Sequence, residues 1–401
     1  LSINPPLAAY AQASGHPWQA RATVALSRSH LLPEAYVFGL ADVEIISEQG
    51  RPMFILGKIY PNGRWFYFPL ALLIKCTLGF LVLLGLLILA RNLRGIEKRK
   101  EVLYLALPAL VYFLISTTSR LDIGFRHILP IFPFLIVLIA AAAWGLMQRS
   151  RAWAYVVGAL LLLHVGSSLH AFPYYLTYSN EAWGGPKNTY KYLSDANAGW
   201  DSDLKAVRDY VAAHQISDCW FAYSGLAPFP YYKIPCRVLP TFMSANDGTE
   251  RGPIPESIEG TILLDEEEHA GIWWGPGKLN PYSQFINLHP DDIIAGETLV
   301  YHGRFDMHDA SAISHLHAAD TLLRMGKPDQ ALPEFQTALA MNPNSVAAHV
   351  DYGVMLFLTN KRNEAQAEFQ KASEIAHTQY ADFQGPTFDN LVLPALRAMT
   401  H

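Results

Sequence analysis

The chain has 401 residues, 51% of them apolar and 16% charged, and a formal net charge of −5. That length leaves room for two or three domains besides any membrane block. The acidic balance gives no support to nucleic-acid binding.

The opening, residues 1–31, mixes Pro, Ala, Gln and Ser without a sustained period. From Leu32 to Ile45 the run LPEAYVFGLADVEI fits a helix, of a kind that lies on a membrane surface. Met53–Tyr60 and Arg64–Phe68 are β-prone, and Pro61-Asn62-Gly63 between them supplies turn chemistry, so a hairpin carrying Arg51, Lys58 and Arg64 is expected.

Four apolar runs follow: Phe66–Ala90, Val102–Thr118, Ile128–Met147 and Trp153–Phe172. Each is near the length that crosses a hydrocarbon core of about 30 Å, and a buried helical core rarely repeats four times with so little charge. Four transmembrane helices over 66–172 are therefore expected. Arg91, Arg94, Lys98, Arg99 and Lys100 separate the first pair, and Arg149 and Arg151 the last pair. The break between the second and third runs holds only Arg120 and Arg126. By the positive-inside rule the two Lys/Arg-rich breaks are cytoplasmic, so residues 1–65 and everything after Phe172 lie outside. The chain opens at Leu1 without a charged export segment, so that topology calls for further sequence upstream.

Polar residues in and between such runs each need a reason. Lys75 sits well inside the first run, where a lysine either serves a site or snorkels to the interface. In the outer loop 120–127, Asp122 and Arg126 have two readings, a mutual ion pair or Arg126 as a phosphate clamp.

Beyond the last run the composition turns soluble. Asp203–His214 reads as an amphipathic helix, and Asp218–Tyr223, Thr261–Leu264 and Thr298–His302 read as strands, giving a small α/β domain over 173–310. Asn246–Pro255 reads as a loop, and the Asp265–Glu268 run as a solvated strand end rather than an acid/base pair. Cys219 and Cys236 are either two unrelated core thiols or, in an exported domain, a disulfide.

Residues 311–378 contain an internal repeat. Ala331, Phe335 and Ala338 recur 34 positions later as Ala365, Phe369 and Ala372, and His315 recurs as His349. That is tetratricopeptide length and spacing, with small residues where paired helices approach and Phe between them. Pro343 closes the first copy and Gly353 fills the glycine place of the second. Two repeats bury little alone, so they are expected to lean on the α/β domain or on a capping helix or tail in 379–401, near Leu391–Met399.

Three stretches carry a family resemblance. GRPMFILGKIYPNGRWFYFPLALLIKCT (50–77), GFRHILPIFPF (124–134) and YSNEAWGGPKNTYKYLSDANAGWDSDL (178–204) resemble segments of bacterial protein-mannosyltransferase-like membrane glycosyltransferases, the GT-C class often called family 39. Departures include Cys76-Thr77 for Thr-Pro, His127 for Tyr, and Gly199 with Asp201 for Asp and Gly. The resemblance implies a multi-pass protein of the bacterial inner membrane, a polyprenyl-phosphate-linked sugar donor, and an acceptor outside the cytoplasm. It also implies a catalytic aspartate upstream of Leu1, so no catalytic residue is assigned within the chain.

The leading expectation is the C-terminal portion of a membrane glycosyltransferase. Arg126, His127, Lys58, Arg64 and Lys75 are its candidate donor-phosphate ligands, because charge-assisted contacts are strong where the dielectric is low. No metal site or cofactor is identified. The rival is a non-catalytic membrane-anchored tetratricopeptide scaffold recruiting protein partners. A transporter reading finds neither broken helices nor paired buried carboxylates in the spans.

Overall fold

A computed structural model describes residues 17–89, 99–200, 202–225, 227, 229–242, 252–274 and 280–379. The expected tail beyond residue 379 and the cations Arg91, Arg94 and Lys98 lie outside the described residues. The chain divides into two compact units, residues 1–175 with 179–185, and 176–178 with 186–401.

In the first unit, helices α1 (Pro17–Arg28) and α2 (Glu34–Gln49) precede a hairpin of β1 (Met53–Ile55) and β2 (Lys58–Tyr60). The hairpin is tighter than expected. Ile55 pairs directly with Lys58, so the turn is Leu56-Gly57, both at positive φ. Pro61-Asn62-Gly63 is not the turn, and Arg64–Phe68 forms no strand, because Gly63 is used for something else. A Cβ there would stand 2.8 Å from Arg120 Cα and 2.8 Å from an Asp122 oxygen. Only glycine lets the hairpin's exit lie against the outer loop.

The first apolar run is broken. Helix α3 (Tyr67–Lys75) and α4 (Leu78–Leu89) meet at a 119° bend at Cys76-Thr77. Gly79 packs against α7 (Arg151–His170), where a Cβ would come 2.4 Å from Leu160 O. Helix α5 (Arg99–Ser116) starts with Arg99, Lys100 and Glu101, so its apolar part, Val102–Ser116, is only about 22 Å long. A turn of 3₁₀ helix (Phe125–Ile131) leads into α6 (Phe132–Met147).

Two described helices are long and apolar enough to cross a membrane, Phe125–Met147 and Arg151–His170. They become three if the bent pair counts as one. The most apolar stretch of α7 buries only 11% of itself, and Leu162 and Leu169 stand exposed at 75% and 67%. Such wide apolar surface marks a lipid- or protein-facing element.

The second unit opens with α8 (Leu204–Ala213) and holds a five-stranded sheet in the order β4-β3-β5-β7-β6. The strands are β3 (Cys219–Ala222), β4 (Cys236–Val238), β5 (Ser257–Leu264), β6 (Asp292–Ile294) and β7 (Thr298–Asp306). β3 runs parallel to both β4 and β5, while β7 runs antiparallel to β5 and β6. Both faces are covered, which explains why Ile262-Leu263-Leu264 is an unbroken apolar run. Leu263, Phe221 and Val300 pack under Val207 and Val211 of α8, whereas Ile262, Leu264 and Tyr301 meet Tyr282 and Phe285 on the other side. Cys219 and Cys236 are direct partners across β3 and β4, 4.3 Å apart at Cα, and form a disulfide.

After β5 comes the short helix α9 (Glu266–Ala270). Four helices end the described chain: α10 (His308–Arg324), α11 (Pro328–Met341), α12 (Val346–Leu358) and α13 (Arg362–Gln379). Phe335 and Phe369, with the alanines of the repeat, fill their core. α10 belongs to both layers. Ala310 near its start, with Met307 just before it, is part of the sheet's core, and its Leu316 and Ala319 are part of the repeat core. Hydrogen bonds from the Ser311 hydroxyl to Ile254 O (2.7 Å) and from Ile254 N to Ser314 Oγ (3.0 Å) fasten the join. The repeats do lean on the α/β domain.

Candidate functional site

The first unit brings parts of the three resemblance stretches, 50–77, 124–134 and 179–185, together around α3. At its N-terminal end, the N–H groups of Arg51 and Gly63 both donate to Arg120 O, at 3.2 and 3.3 Å. Arg64 N donates to Asp122 Oδ2 at 2.6 Å, and Arg120 Nη1 donates to Glu48 O at 3.0 Å. Asp122 is therefore held by the hairpin's backbone, not by Arg126, which removes the mutual-pair reading of the outer loop. Its other oxygen, Oδ1, is buried without a hydrogen-bond partner among the described residues. Burial pushes the Asp122 carboxyl up to about 7, with the Arg64 N–H working the other way.

The sequence candidates fall into two groups. Lys58, Arg64 and Arg126 are exposed, Arg64 lying over the Tyr60 ring at 5.7 Å. His127 is half-buried, its ring 6.4 Å from that of Phe68 on α3, its carbonyl accepting from the Tyr112 hydroxyl at 3.0 Å. The Nε2 of His127 is buried without a hydrogen-bond partner among the described residues. Lys75 lies apart from these, at the other end of α3 beside the bend.

That second end explains the Asn180-Glu181 stretch. Asn180 is fully buried, and its Nδ2 donates to Leu73 O at 2.7 Å, Ile74 O at 3.2 Å and Cys76 O at 2.8 Å. Its own N–H reaches Ile74 O at 2.9 Å, and Trp183 Nε1 reaches Leu73 O at 3.2 Å. A helix end leaves its last carbonyls unbonded, and here one amide gathers them. The Thr77 hydroxyl lies 2.7 Å from His164 Nδ1 of α7, and the Ser167 hydroxyl donates to Glu181. The broken helix that the transporter reading lacked is thus present. Its carbonyls, which would otherwise suit a cation, are already occupied by Asn180.

The second unit holds a site that the sequence reading misplaced. Asp265, Glu266 and Glu268 are 4%, 0% and 1% exposed, so the run is no solvated strand end. It caps β5 at the carboxyl edge of the parallel strands, where open α/β sheets bind ligands. Glu268 accepts from the Ser224 hydroxyl (2.8 Å), Phe242 N (3.3 Å) and Trp274 Nε1 (2.5 Å). Burial nevertheless raises it to about 7, against those bonds and the nearby His317.

Glu266 faces the other way. Both its oxygens and the Ser194 hydroxyl are buried, and burial with the charges of Glu267 and Asp265 drives the carboxyl well up, the Ser194 hydroxyl beside it working the other way. Glu297 lies nearby, bonded by Trp200 N at 3.0 Å and the Ser202 hydroxyl at 3.2 Å. Gly199 permits this, since a Cβ there would sit 2.6 Å from Glu297 Oε1. Among the described residues no three His, Cys, Asp or Glu side chains gather as a metal site.

In the repeats, each histidine at the pattern's Trp position pairs with a Glu of the next helix. His315 Nδ1 lies 2.6 Å from Glu334, and His349 Nδ1 lies 2.5 Å from Glu368. Comparison with family models matches residues 316–381 to the tetratricopeptide repeat. No curated protein and no solved structure matches the chain. The C-terminal region is a tetratricopeptide module, a class that binds other proteins.

Proposed function

We infer that the chain is the C-terminal portion of a multi-pass membrane glycosyltransferase. It would use a polyprenyl-phosphate-linked sugar on the outer face of a bacterial plasma membrane, with all four apolar runs in the lipid and both flanks outside. One observation carries this reading. Three sequence stretches, more than forty residues apart, converge on the two ends of α3: 50–64 and 119–127 at one, 179–185 at the other. Exposed Lys58, Arg64 and Arg126 supply cations for the donor phosphate beside a half-buried His127. The family catalytic aspartate would come from upstream.

The test is sugar transfer from a lipid-linked donor by the full-length protein. Arg126→Lys removes the paired donors of the guanidinium, so transfer should fall at least tenfold at equal protein, roughly the value of a charge-assisted bond. Near-normal transfer by this variant would sink the reading.

A second reading is favoured by the tetratricopeptide match: a membrane-anchored scaffold that recruits a protein partner. It expects Arg126→Lys to be harmless, and removal of the repeats, residues 311–378, to abolish crosslinking to the partner in native membranes.

A further inference from the structure

The outer loop contains two kinds of polar group, and the exposed cations account for only one. Asp122 is 2% exposed, with Oδ2 taken by Arg64 N and Oδ1 without a partner among the described residues. His127 Nε2, five residues on, is likewise buried and without a hydrogen-bond partner among the described residues. Buried polar atoms in folded proteins are almost always bonded, so two such atoms in one short loop mark a place where something else supplies the bonds.

The chemistry of the pair selects the ligand. A phosphate oxygen can only accept, so it would need a protonated carboxyl and would be repelled by an ionised one. An apolar group would leave both atoms unsatisfied. A hydroxyl both donates and accepts, so it bonds a carboxyl in either protonation state and an imidazole in either tautomer. We propose that Asp122 Oδ1 and His127 Nε2 bind hydroxyl groups of the donor's sugar ring, leaving the phosphate to the exposed cations Lys58, Arg64 and Arg126. This rests on the glycosyltransferase reading and adds to it a substrate contact for each group. Burial that raises the Asp122 carboxyl fits a group that exchanges hydrogen bonds with a neutral ring. The hairpin's exit fixes the carboxyl in place, because Gly63 and Arg64 lie directly on Asp122.

The experiment compares binding of undecaprenyl phosphate and undecaprenyl-phosphate mannose to the full-length protein in nanodiscs. Wild type should hold the glycosylated carrier roughly tenfold more tightly, the worth of one or two hydrogen bonds. Asp122→Ala should erase that preference, and Asp122→Asn should restore most of it, because an amide oxygen still accepts from Arg64 N while its NH₂ meets the hydroxyl. His127→Phe, which keeps a ring beside Phe68, should erase the preference even if Asp122→Ala proves unstable. Arg126→Lys should weaken both carriers equally.

A preference unchanged in folded Asp122→Ala, or in His127→Phe, overturns the proposal, as does wild-type protein that binds both carriers equally. In those cases the glycosyltransferase reading stands. Failure of wild type to bind either carrier overturns that reading and the proposal with it.

Discussion

Glu268 is the residue whose environment departs furthest from its appearance in sequence. Four consecutive acidic residues at a strand end read as a solvated face, because nothing local says that Trp274, Ser224 and the Phe242 N–H converge on one of them. The bonds come from residues between 6 and 44 positions away, so no local period could reveal them. The consequence is an unusual pH dependence. A carboxyl whose folded pKa is raised to about 7 contributes stability that is complete below the ordinary carboxylate range and lost as pH rises through 7. The second unit should therefore melt at higher temperature near pH 5 than near pH 8. Glu268→Gln should flatten that slope, removing on the order of 3 kcal/mol of pH-dependent stability. A slope identical in wild type and variant, read by near-ultraviolet circular dichroism, would show that Glu268 is not the titrating group.

Elements differ in how far their sequences disclose them. The tetratricopeptide pairs were legible because their contacts repeat at the spacing of the sequence. Phe335 and Phe369 are 0% and 6% exposed, and Phe→Ala at either should cost roughly 3–5 kcal/mol in a thermal melt. Gly353 should be equally intolerant. A Cβ there would stand 2.4 Å from the Phe369 ring, so Gly353→Ala must displace a core aromatic. The His–Glu clips carry a graded expectation. The pair His349–Glu368 has side chains 7% and 13% exposed, against 21% and 28% for His315–Glu334, and His349 Nε2 also bonds Pro343 O at 2.9 Å. His349→Ala should cost about 2 kcal/mol or more, and His315→Ala roughly 1.

Burial acts to raise Glu368, but its bonds from Lys371 and His349 outweigh it and hold the carboxyl low. The stability from that clip is therefore present above the ordinary carboxylate range and lost as pH falls through the depressed value. The bend at Cys76-Thr77 was not legible at all. An apolar run looks the same straight or broken, and the cap that makes the break tolerable, Asn180, lies over a hundred residues away. Its motif was visible only as a resemblance, without the reason for it.

On the scale of the whole molecule, the two units make separate claims about which side of a membrane each loop occupies. The cysteine pair bears on this. Cys219 and Cys236 face one another in adjacent strands, and a bridge between them persists only in an oxidising compartment. Sequence alone could not choose between a bridge and two core thiols, because 17 intervening positions do not fix a strand register. With the register known, the disulfide makes a prediction about topology that is independent of the positive-inside rule, and one experiment can test the two together. Reporters fused after Lys100 and Arg151 should read cytoplasmic, and those after Arg64, His127 and Phe172 should read outside. In the same cells, Cys219 and Cys236 should resist alkylation until reductant is added. A reporter active in the cytoplasm when fused after residue 310, together with freely alkylated cysteines, would reverse the orientation. The bent helix sharpens the test: if α3 lies along the surface and only α4 enters the bilayer, thiol reagents confined to the outside should reach Leu73→Cys, 47% exposed on α3, but not Val82→Cys on α4. Protection of both would instead place the whole first run within the hydrocarbon.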